Sequence, residues 1–143
     1  AEIREEYGVT AQAFDARYVV SRLQIEEAVG KARRSFDRGE NVADSLSMEI
    51  LLYAAGTRQI DVATRMGLHI GENDAVFVVL GEDVAEAADE IRGMTHEPDD
   101  FVYGEETRLL NFFGLTDEEM DAVGEDRLEY LVLERVALLD VNK

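Results

Sequence analysis

One stretch, SLSMEILLYAAGTRQIDVATRMG at residues 45–67, restricts the possible folds more than any other part of the chain. Its first half is apolar nearly all round. Met48, Leu51, Leu52 and Ala55 form a stripe that Ile50 and Tyr53 widen, the pattern of a central helix enclosed by others. Ser45 or Ser47 caps its start. Gly56 ends it, because glycine takes the left-handed C-terminal conformation at little cost. Thr57 is placed to cap a third helix over 58–66 that stops at Gly67. The joint between the two helices therefore displays Arg58, Gln59 and Ile60 at a helix start. A cation is mildly unfavourable there, so Arg58 needs a partner. Either the carboxyl group of Glu49, one helix earlier, pairs with it, or an anion such as a phosphate arrives from outside.

Around this centre the pattern predicts a mostly helical α+β fold, a single domain over residues 1–143 packed on a small, mainly antiparallel sheet. The opening AEIREEYGV reads as a helix ending at Gly8. TAQAFDA alternates as a short strand does, and DAVFVVL at 74–80 is the clearest strand, β-branched and aromatic between two glycine-containing turns. Ser21 with Gln24 forms a capping box for a helix running to about Arg38, with the stripe Ile25, Val29, Ala32 and Phe36. Further helices are expected at 82–92, 105–113, 117–123 and about 126–136. Thr116 and Glu119 form a second capping box, 101–103 suits a brief strand beyond Pro98, and ALLDVN either finishes the last helix or forms a closing strand.

The composition excludes several chemistries. No cysteine is present, which removes thiol catalysis, thiolate metal sites and disulfides and suits a cytoplasmic protein. His69 and His96 belong to no metal-ligand spacing and read as surface loop residues. No GxSxG elbow, Walker loop or GxGxxG follows a strand, and the longest apolar run, at 50–55, is too short for a membrane span. No enzyme activity, cofactor, metal, membrane or DNA partner is expected.

What stands out is charge. The net value is −18, as in proteins of high-salt cytoplasm, and residues 73–143 carry most of it, with 5 bases against 20 acids. Within 17–38 the sign reverses: Arg17, Arg22, Lys31, Arg33, Arg34 and Arg38 face only Glu26, Glu27 and Asp37. Cations near a helix C-terminus complement its dipole, but a positive island on an acidic chain also steers phosphate.

The run NVADSLSMEILLYAAGTRQIDVATRMG resembles the signature of the small accessory subunit of the KEOPS complex, whose animal counterpart is the PRPK-binding protein TPRKB. Asn41, Ala43, Ser45, Glu49, Leu51, Ala54, Gly56, Arg58, Gln59 and Ile60 fill the archaeal form of that pattern in register. AQAFDARYVVS and LVLERVALLDVNK are similar to flanking family segments. Two departures stand beside this. Gln24 occupies a place where the family usually has histidine, and the family's leading strand and longer first helix are not seen ahead of AEIREEYGV, so a truncated start is expected. The resemblance implies a non-catalytic subunit that docks on a PRPK-type kinase/ATPase. It also implies capture of tRNA, including the single-stranded 3′ CCA end, for threonylcarbamoyladenosine formation beside the anticodon.

On the residues themselves, Arg58, Gln59 and Ile60 supply a charge, an amide and an apolar surface of the kind that holds single-stranded RNA, and Lys31, Arg33 and Arg34 extend the track. Asn41, Ser45, Glu49 and Gly56 are the structural members of the signature. For the kinase, the helices around 109–113 and 128–136 are the expected surface, with Phe112 and Phe113 first, since two adjacent rings do not both face inward from one helix. The other reading is a stand-alone acidic regulatory or ligand-binding domain that binds no RNA.

Overall fold

A computed structural model describes residues 9–69, 74–94, 103–123 and 127–142. The expected helix ending at Gly8, His96, the Pro98 loop and most of the short strand at 101–103 lie outside these residues; Tyr103 is described and is not in a strand.

Strand β1 (Thr10–Asp15) pairs antiparallel with β2 (Ala75–Leu80), in a register that sets Gln12 opposite Val78 and Phe14 opposite Val76. Alternation then puts Phe14, Val76, Val78 and Leu80 on the main core. Gln12 ties the sheet to the first turn of the central helix by donating from Nε2 to the Ser47 carbonyl at 3.0 Å.

Helix α1 (Arg22–Asp37) and helix α2 (Leu46–Ala55) lie antiparallel. Ser35, near the end of α1, meets Glu49 at the start of α2, and Gln24, at the start of α1, meets Ala54 at the end of α2. The expected central position of α2 is observed: every residue from Glu49 to Ala55 is buried, as is Ser47. The capping box proposed for α1 is not formed. Ser21 is the N-cap residue but makes no side-chain cap hydrogen bond. Gln24 turns inward instead, accepting from the Val20 N–H at 2.7 Å and donating to the Ala54 carbonyl at 2.9 Å. The buried face of α1 is correspondingly Gln24, Ile25, Ala28, Ala32 and Ser35, with Val29 and Phe36 only half-buried. Two polar residues inside the helix pair satisfy backbone and side-chain groups that burial would otherwise leave unpaired.

Beyond Gly56 the chain forms one turn, α3 (Ile60–Ala63), and a 3₁₀ turn at Thr64–Met66. The expected third helix is therefore shorter and begins later. Thr57 Oγ1 accepts from the Gln59 N–H at 3.1 Å, and Gln59 occupies the N-cap position, so Arg58 precedes the helix rather than opening it.

Helices α4 (Val84–Met94), α5 (Glu106–Phe113), α6 (Asp117–Val123) and α7 (Arg127–Asn142) complete the described residues. The Glu119 N–H donates to Thr116 Oγ1 at 3.1 Å, the first half of the expected box at α6. ALLDVN continues α7 and is not a strand. A second core of Leu109, Phe113, Leu115, Met120, Leu131 and Val132 joins α5, α6 and α7. Segment 103–105 crosses the 3₁₀ turn at Ala16–Tyr18 so closely that any Cβ on Gly104 would collide with the Arg17 carbonyl. The fold is thus α+β and mostly helical, with a two-stranded antiparallel sheet among the described residues.

Candidate functional site

The two ends of α2 carry the signature residues, and they differ in kind. At the N-terminal end, Asn41 Nδ2 donates to the Ala43 carbonyl at 2.8 Å and folds the approach. Ser45 caps the helix through the Met48 N–H at 3.2 Å. Glu49 has no solvent exposure, and its carboxyl group is a hub. Oε1 accepts from the N–H groups of Val42 and Ala43 at 3.0 and 2.9 Å, and Oε2 accepts from Ser35 Oγ at 2.9 Å. The loop between α1 and α2 is thereby fastened to both helices. Glu49 faces this loop, while Arg58 lies beyond the other end of α2, some 9 Å further along the axis at 1.5 Å per residue.

At the C-terminal end Gly56 adopts φ 64°, and a Cβ there would lie 3.1 Å from both the Cβ and the carbonyl oxygen of Arg135 on α7. Only glycine serves both requirements, the left-handed turn and the close approach. The chain leaves this joint with Arg58 and Gln59 exposed and Ile60 at 47% exposure.

The cations expected to extend the track are placed elsewhere. Arg33 and Arg34 are exposed near the C-terminal end of α1, beside the Glu49 end of α2. Because α1 and α2 are antiparallel, about 15 Å of helix separates them from Arg58. Lys31 faces α7 and pairs with Asp140 at 3.5 Å, its side chain only 17% exposed.

A second cationic group, not foreseen from sequence, lies where the 3₁₀ turn at Ala16–Tyr18 meets α5 and the segment after α3. The rings of Tyr18 and Phe112 are 5.0 Å apart and tilted by 49°. Arg65 lies over Phe112 at 5.4 Å, and Arg17 and Arg108 lie over Tyr18, each at 5.9 Å. Both rings are half-buried and Arg65 is exposed. The aromatic expectation at α5 divides accordingly. Phe113 is 7% exposed and belongs to the second core, so it is not available to a partner, whereas Phe112 lies on the flank beneath Arg65. No periodicity relates Tyr18, Arg65 and Phe112; only adjacent aromatic residues at 112–113 hinted that one ring would face outward.

Asp15 anchors one side of this group. Burial alone would raise its pKa, but hydrogen bonds and charge from Arg17, with a contribution from His69, outweigh that and hold the carboxyl group below the usual range. The Arg17 guanidinium makes a two-point contact, with Nη2 2.7 Å and Nε 3.0 Å from Oδ2. His69 Nε2 stands 3.3 Å from the same oxygen, which gives this histidine a defined neighbour that a loop reading did not predict.

Across the molecule an open groove of about 440 Å³ runs between α1 and α7, lined by Glu27, Lys31, Tyr130, Leu133, Glu134 and Ala137. Tyr130 is 57% exposed at its wall. Among the described residues no cluster of three metal-ligating side chains occurs, and no helix is long and apolar enough to cross a membrane.

These features define a small binding scaffold: a buried polar hub, a displayed joint, a cation-flanked pair of rings and an amphipathic groove. The family model of kinase binding protein CGI-121 matches residues 1–140, and the chain belongs to that family. No curated protein matches its sequence significantly.

Proposed function

We propose that this chain is the small subunit of a KEOPS-type complex, docking on the PRPK-type kinase and recruiting tRNA, including its 3′ CCA end, for threonylcarbamoyladenosine formation. Membership of a kinase-binding family supports the first part. The observation that carries the second is the division of the signature. Asn41, Ser45, Glu49 and Gly56 all act in folding, while Arg58, Gln59 and Ile60 are presented to solvent. A displayed cation, amide and aliphatic group beside one another suit a phosphate and an unstacked base. For the kinase, the α1–α7 groove offers what a docked helix needs, an apolar floor of Leu133 and Ala137 with Tyr130 as an anchor and charges at its rim. The subunit would act by holding two partners, with the chemistry on another chain.

Two measurements test this. Arg58→Glu weakens tRNA binding at least tenfold in a gel-shift titration, about 1.4 kcal/mol, and leaves kinase co-purification intact. Tyr130→Asp with Leu133→Asp does the reverse. Unchanged tRNA affinity in the first variant, with its fold confirmed, removes the assignment of Arg58. Undiminished kinase recovery with the second removes the groove.

A further inference from the structure

We infer that Tyr18 and Phe112, with Arg65 and Arg108, form a second contact site for single-stranded RNA, taking phosphates on the guanidinium edges and a base face on the aromatic–arginine stack. The inference rests on the RNA-binding reading above and adds a site to it.

Ion pairing separates these two arginines from five others, though not from Arg33, Arg34 and Arg38 at the far end of α1. Arg17, Arg22, Arg92, Arg127 and Arg135 each lie within ion-pair distance of a carboxylate. Arg65 and Arg108 have no such partner among the described residues, although the chain holds 32 acids against 14 bases. Each instead places its guanidinium carbon over a ring, Arg65 over Phe112 at 5.4 Å and Arg108 over Tyr18 at 5.9 Å. A contact of this kind consumes none of the guanidinium N–H donors, which can bind phosphate in two-point fashion. The rings limit the rotamers of both arginines, so less freedom is lost when an anion arrives.

Placement points the same way. Tyr18 and Phe112 stand 5.0 Å apart, which brings Arg65 and Arg108 onto one continuous stack contributed by three separate parts of the chain. Arg65 belongs to the same segment as Arg58, Gln59 and Ile60, separated from them only by the single turn of α3. RNA held at the joint has this stack as the next cationic surface along that segment. Elsewhere a net charge of −18 repels phosphate, so a local cluster of cations concentrates the attraction. An acidic peptide would use the guanidinium donors but has no use for the aromatic rings; a nucleotide uses both.

The test is a tRNA binding titration across salt with the full chain. Parent, Arg65→Glu with Arg108→Glu, Arg65→Lys with Arg108→Lys, and Phe112→Leu are compared, each checked for its helical signal. Charge reversal is expected to weaken binding at least tenfold and to flatten the plot of log affinity against log salt by about 1.4, two phosphates at roughly 0.7 each. The lysine pair restores the slope. Phe112→Leu lowers affinity without changing it. A charge-reversed variant with the parent's affinity and slope overturns the second site while leaving the Arg58 assignment standing. Loss of kinase recovery with tRNA binding intact overturns it in favour of a protein contact. A parent that binds no tRNA at any salt removes both the site and the RNA-binding reading on which it rests.

Discussion

Helix α2 is only ten residues long, and both of its ends carry residues of one signature, yet they handle polar groups in opposite ways. At the Ser45 end the polar side chains of Ser35, Ser47 and Glu49 are buried. Glu49 is fully buried and accepts from two backbone N–H groups and a serine hydroxyl. At the Gly56 end the backbone does the structural work, through a left-handed glycine pressed against α7, and Arg58, Gln59 and Ile60 that follow are exposed. A shared motif therefore need not share a purpose. The buried end specifies how α1, its loop and α2 meet, and the other end specifies what is displayed.

Four substitutions, two of them with a companion variant, break or sharpen this contrast, from the largest expected effect to the smallest. Glu49→Ala should be the most damaging, because it removes the acceptor of the buried Ala43 N–H, the part-buried Val42 N–H and the Ser35 hydroxyl, at roughly 1–3 kcal/mol for each group left unsatisfied. A loss of at least about 3 kcal/mol in denaturant unfolding is expected, with Glu49→Gln recovering part of it. A loss under 1 kcal/mol contradicts the hub. Gly56→Ala comes next, at about 2–4 kcal/mol, since left-handed strain of 1–2 kcal/mol adds to the collision with α7. Gly114→Ala is its control. That glycine also has φ 64° but no atom within 4 Å of an added Cβ, so only the strain is expected. Equal losses at the two glycines would mean that the α7 contact is not tight.

Asp15→Asn should cost less and in a pH-dependent way. The Asp15 carboxyl group titrates below its ordinary value in the folded protein, so the unfolded chain takes up the proton first and stability rises with pH across that window. The contribution is complete above about pH 4, near the unfolded carboxyl value, and is lost as pH falls through the folded one. Parent and variant unfolding curves should differ most at pH 6 and draw together as pH falls below about 4; a constant difference argues against the ionised contact with Arg17. Arg58→Ala, at the displayed end, should change stability by no more than about 0.5 kcal/mol, as surface substitutions do. A larger loss would place Arg58 among the structural residues.

Much of α2 could be read from the sequence, because its signals are local. The nearly all-round apolar pattern, a serine cap at Ser45 or Ser47 and Gly56 as stop each depend on neighbours within a turn or two; the structure selects Ser45. Gln24 shows where local reading fails. Its spacing from Ser21 suits a capping box, but Ala54, thirty residues away, presents a buried carbonyl that competes for its amide. The third helix is shorter than its sequence suggests for a related reason. Its residues can continue a helix, yet the Thr57 hydroxyl holds the Gln59 N–H in a turn and delays the start. The stack of Tyr18, Phe112, Arg65 and Arg108 had no sequence signal, since three distant segments meet there and no periodicity joins them. Lys31 shows the converse, a cation in a basic run that proves to bridge to Asp140, 109 residues away.

The contact between Gly56 and Arg135 has one more consequence. Arg135 follows Glu134, which lines the groove between α1 and α7, and its own guanidinium reaches toward the Phe113 carbonyl and Glu119. The joint and the groove are thus two sides of one helix, pressed together without room for a methyl group. α7 cannot slide along its axis or roll without pushing the joint. The Gly56–Arg135 contact thereby fixes the spacing between the joint and the groove.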